Sequence, residues 1–253
     1  MKRSRRGYTL VEVMLFLAIT GLLFVGIALG VQNSMFQQRY NDSVQSFAEF
    51  LRSVYSQVSN VQNSTGNGRS DMAFYGKLVV FGEAKTLDGA DNVDGEVYSY
   101  DVIGGADGGL SGKVLENLKN IGATIWSSNE VYAGNVEAYK PRWQSRIQGI
   151  KNDGKDYVGA LLVVRNPQSG TIFTFKTDGI LDINGNNGSF KLAEVLNDFT
   201  SGEVDYCVNP EGKQASDTRR DIRIKENSRN ASGVEVIGAD ATGKSGNRCR
   251  GES

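Results

Sequence analysis

Glu12 is a lone carboxylate in an otherwise apolar stretch, residues 8–31, that directly follows Lys2, Arg3, Arg5, Arg6 and Gly7. A charge at that depth in a lipid-compatible segment is costly, so a carboxylate kept there reads as functional. Other chemistry is thinly supplied. Histidine is absent, which removes Ser-His-Asp and Cys-His nucleophilic systems, His-ligated zinc and imidazole acid–base catalysis together. Two cysteines, Cys207 and Cys249, are too few to close a structural zinc site.

Two acidic loops are candidate metal sites. Asp182-Ile183-Asn184-Gly185-Asn186 places oxygens at alternate positions, as a calcium loop begins. The sixth and twelfth positions then fall on Asn187 and Ala193, where glycine and glutamate are needed. The pattern fails, and a polar turn is the better reading. Asp88, Asp91, Asp94 and Glu96 form a second cluster, read as a solvated loop. No metal and no cofactor is expected. Arg219, Arg220, Arg223, Lys225 and Arg229 could make a phosphate-binding stripe. On a strand, Arg219, Asp221, Arg223 and Lys225 would share one face and Arg220, Ile222 and Ile224 the other. Asp217, Asp221 and Glu226 partly neutralise them, so a charged strand face is favoured. No Walker loop, GxSxG elbow or paired-carboxylate spacing stands out, and no enzyme is expected.

The elements that must position these groups begin with the apolar run, roughly 36 Å as a helix and long enough to cross a bilayer. Basic residues on its N-terminal flank place the start in the cytoplasm and the rest outside the inner membrane. A secretory signal is disfavoured because no A-x-A-like site follows Gly30. In an exported chain an even, minimal cysteine pair reads as one disulfide, Cys207–Cys249, with two free thiols as the alternative. Net charge is −1, and about −5 without the four basic residues of the first seven.

Beyond the apolar run, Phe36, Tyr40, Val44, Phe47, Ala48, Leu51, Val54, Tyr55, Val58 and Val61 recur at steps of mostly three and four. That stripe continues one helix over residues 8–62, half-buried against a sheet in its second part. Asn63 to Gly68, small and polar, should end it. Strands are predicted at 77–81, 96–103, 124–126, 130–132, 157–166, 171–176, 204–208, 221–225 and 234–237. Short helices are predicted at 114–121 and 191–199. Pro167-Gln168-Ser169-Gly170 should turn a hairpin, with residues 161–164, apolar on both faces, in a central strand.

The segment Gly7-Tyr8-Thr9-Leu10-Val11-Glu12 resembles the processing site of type IV prepilins and pseudopilins. The resemblance implies cleavage after Gly7 by a prepilin peptidase and methylation of the new N-terminus at Tyr8. It also implies that Glu12 pairs with the amine of a neighbouring subunit as a filament grows, so that Glu12 gauges axial register rather than catalysing. The implied fold is α+β and pilin-like: a long N-terminal helix, membrane-spanning in its first half, packed on an antiparallel β-sheet domain. Residues 1–7 would be the leader, 8–62 the helix with 8–31 for membrane and assembly, and 63–253 the exported β-rich domain. The Asn-Pro-x-x-Gly hairpin and the late Cys-containing strand are similar to those of H-type minor pseudopilins and minor pilins. Many major pilins carry a proline about twenty residues into the mature helix; this chain has Leu29 near there, which points the same way.

The expected function is therefore a structural subunit, of minor type, in a type IV pilus or a pilus-like secretion or DNA-uptake filament. Its partners would be other pilin or pseudopilin subunits, the peptidase and the inner membrane. The alternative is a tip module that binds DNA or a surface, and a tethered exoenzyme stands third.

Overall fold

Helix α1, Leu10–Ser59, is 50 residues long and contains no proline, roughly 75 Å at 1.5 Å per residue. The computed structural model describes residues 9–60, 72–81, 96–105, 110, 112–126, 137–150, 156–157, 159–177, 189–209, 219–226, 228–238 and 249. The chain divides into two units, Met1–Asn41 and Asp42–Ser253, and α1 contributes to both. In the first unit the large apolar side chains of α1 stand exposed, Leu22 at 78% and Phe24 at 76%. In the second, Val44, Phe47, Ala48, Leu51, Val54, Tyr55 and Val58 are buried, the stripe that the three-and-four spacing predicts. The helix ends at Ser59, slightly before the expected residue 62.

Among the described residues the second unit also holds two antiparallel sheets. In the larger, β1 (Met72–Phe81) lies between β2 (Val97–Gly105) and β7 (Ala160–Arg165). Outward from β7 come β8 (Ile172–Thr177) and β10 (Phe199–Thr200). Outward from β2 come β3 (Thr124–Trp126) and β9 (Ser189–Lys191), while β4 (Glu137–Tyr139) pairs β2 separately. The smaller sheet has the order β13 (Val234–Ile237), β12 (Arg220–Ile224), β11 (Val204–Asn209), β5 (Arg146–Ile150), β6 (Asp156–Tyr157).

Period-two alternation distributes the larger sheet's side chains between two cores. On one face Leu78, Val80, Leu162 and Val164 meet Val114 and Leu118 of α2 (Val114–Asn120) and Leu192 of α3 (Leu192–Val195). On the other, Val79, Phe81, Leu161 and Val163 are buried on the side of α1, where Phe47 meets Phe81 edge-on at 6.0 Å. Residues 161–164 are thus buried on both faces, as a central strand requires. Phe81 also stacks on Tyr206 of β11 at 4.1 Å and so joins the two sheets. Backbone closeness is part of the same packing. A Cβ on Gly76 would lie 2.0 Å from the Val163 carbonyl oxygen, so only glycine lets β1 and β7 approach there.

The predicted hairpin is β7–β8. Asn166 Oδ1 accepts the Gln168 N–H at 2.8 Å, its amide nitrogen donates to Leu110 O at 2.7 Å, and Gly170 takes φ 71°. Asparagine supplies the side-chain turn and glycine the left-handed corner.

The antiparallel β-sheet domain expected beside the helix is present, and among the described residues it forms two sheets. The helix expected at 191–199 is present as α3 followed by a single 3-10 turn (Leu196–Asp198), with its two end residues, Lys191 and Phe199, taken up by the flanking strands β9 and β10. Pairing with β3 claims Lys191 and pairing with β8 claims Phe199, which confines the helical stretch to residues 192–198. Strand β5 carries too short an alternation to be read, and β11 supplies its partner from far along the chain. The strand expected at 130–132 and the helix stop at Asn63 to Gly68 lie outside the described residues.

Candidate functional site

Helix α1 opens on Thr9, and its first turn is built by reciprocal bonds between Thr9 and Glu12. The Thr9 N–H and hydroxyl donate to Glu12 Oε2 at 2.9 and 3.0 Å, and the Glu12 N–H donates to Thr9 Oγ1 at 3.3 Å. This is a capping box, Thr-x-x-Glu ahead of an apolar run, which satisfies amides that the first helical turn leaves without partners. It also places the carboxylate at the positive end of the helix dipole. A carboxylate can accept about four hydrogen bonds, of which Thr9 supplies two, both on one oxygen. Sequence reasoning singled out Glu12 but missed Thr9, although the three-residue spacing was there to be read. Gly7 and Tyr8 lie outside the described residues.

The surface that follows is uniformly apolar. By length and composition the helix can cross a membrane. Its internal hydroxyl, Thr20, donates back to Phe16 O at 2.8 Å and contacts Leu17 O at 3.1 Å, so it adds no outward polar demand.

Arg220 and Arg223 of the arginine stripe lie on β12. Arg223 is 4% exposed and enclosed by carboxylates: Asp205 Oδ1 at 2.6 Å, Asp221 Oδ2 at 2.9 Å and Glu203 at 3.6 Å. Burial works against its charge, but the hydrogen bond and charge of Asp205, then Asp221 and Glu203, prevail and raise its pKa. Its fork is committed to these acids and not open to phosphate. Asp221 and Arg223 do share a face, while Ile222 and Ile224 are fully buried on the other. Lys225 pairs with Glu235 at 2.6 Å on the exposed surface.

Among the candidate calcium ligands, only Glu96 is among the described residues. Its Oε2 accepts the Tyr98 hydroxyl at 2.7 Å and its Oε1 meets Lys140 at 3.2 Å. The Tyr98 bond is the main cause of its lowered pKa. Partial burial, then Glu96 itself, pushes Tyr98 up to about 12. Cys207 on β11 and Cys249 are disulfide-bonded, with Cα atoms 5.4 Å apart and both residues buried.

Comparison with known families finds the prokaryotic N-terminal methylation motif at residues 2–28. The match takes in the basic residues ahead of the helix, Thr9, Glu12 and most of the apolar run, and supports a type IV pilin- or pseudopilin-like assembled subunit. No curated protein and no solved structure matches the chain.

Proposed function

We propose that this chain is a minor structural subunit of a type IV pilus or a pilus-like secretion or DNA-uptake filament. It is made as a precursor anchored in the inner membrane by α1, with its N-terminus cytoplasmic and its β-rich domain outside. Cleavage after Gly7 frees the Tyr8 amine, which is methylated, and α1 then leaves the bilayer for a bundle of like helices. The observation that carries the reading is the Thr9–Glu12 box at the head of an exposed apolar helix, inside the methylation motif.

The box adds a mechanical detail. Burying an unpaired carboxylate among packed helices is costly, and pairing with a cationic N-terminus removes that cost only in the correct axial register. Thr9 holds Glu12 toward the start of its own helix, so the carboxylate is aimed before a neighbour arrives. The processing step is tested by mass spectrometry of the chain recovered from filaments. An N-methylated Tyr8 at the start supports the reading, and an intact leader there overturns it.

A further inference from the structure

We draw no further inference here: the strongest candidate, the pair that buried Lys77 on β1 makes with Asp101 on β2 at 2.9 Å, is accounted for by the cross-strand register that sets the two residues opposite each other, and nothing in the structure gives it a ligand or a reaction.

Discussion

The Tyr55 hydroxyl lies 2.9 Å from Thr174 Oγ1, and that oxygen donates to Ser228 O, also at 2.9 Å. A threonine hydroxyl has one hydrogen, so Tyr55 must be the donor in the first contact. The chain of bonds ties α1 to β8 and to the turn between β12 and β13. Arg52, one turn earlier, donates to Val234 O at 3.1 Å and fastens α1 to the same region.

Tyr55→Phe should therefore cost about 1 kcal/mol, since it removes one buried bond while keeping the ring. Burial, against the opposing bonds to Thr174 and Ser228, pushes the Tyr55 pKa up to about 12. The folded state thus favours the neutral phenol. Its contribution is complete below the unfolded value near 10 and is lost as pH rises from there through about 12. Denaturant melts between pH 9 and 12 should show stability falling across that window, less steeply in Tyr55→Phe. Equal slopes for the two proteins would contradict the assignment.

Removing the Arg223 side chain should be far more damaging than removing a surface cation. Arg223→Ala leaves Asp205 and Asp221 buried without their guanidinium, a change worth roughly 3–5 kcal/mol. Lys225→Ala breaks only the exposed pair with Glu235 and should cost under about 1 kcal/mol. Comparing the two melting curves checks both figures, and similar losses would mean that the enclosed pair is not special.

For the N-terminal box, Glu12→Ala should still be cleaved and stay in the membrane, because removing a charge eases insertion. It should enter filaments poorly. Thr9→Ser keeps the capping hydroxyl and should assemble normally, whereas Thr9→Val should assemble several-fold less. Immunoblots of sheared filaments against membrane fractions give the ratios. Normal incorporation of Glu12→Ala would end the register-gauge hypothesis.

Cys249→Ser opens a loop with a sequence separation of 42 and should remove up to about 4 kcal/mol. Both sulfurs in the parent should resist alkylation until a reductant is added. Hydrogen exchange should rise at β11 and around residue 249 more than in β1 or β7, because the larger sheet does not depend on that link. Uniform loosening of both sheets would show that the disulfide serves the whole unit.

Much of this protein follows from local sequence. The helix 8–62, its apolar first part and its buried stripe were legible because helical periodicity is a short-range signal, and Leu10–Ser59 matches it closely. The hairpin at Asn166 was legible for the same reason, since proline, asparagine and glycine act on their own backbone. Glu12 stood out as a charge among apolar residues, and its partner Thr9 was within reach of the same reading. What only the tertiary structure decided depends on partners distant in sequence. Asp221 was legible as a neighbour of Arg223 from local sequence, but Asp205 comes beside it only through the Asp205↔Arg223 register of β11 and β12. Strand β5 exists because β11 pairs with it, and the short strands β9 and β10 on either side of the helical residues 192–198 exist because β3 and β8 offer them edges. The division into two sheets, joined where Phe81 stacks on Tyr206, was likewise invisible. Periodicity says which side of an element is buried. Which distant residue buries it is settled only when all the strands compete for the same edges and faces.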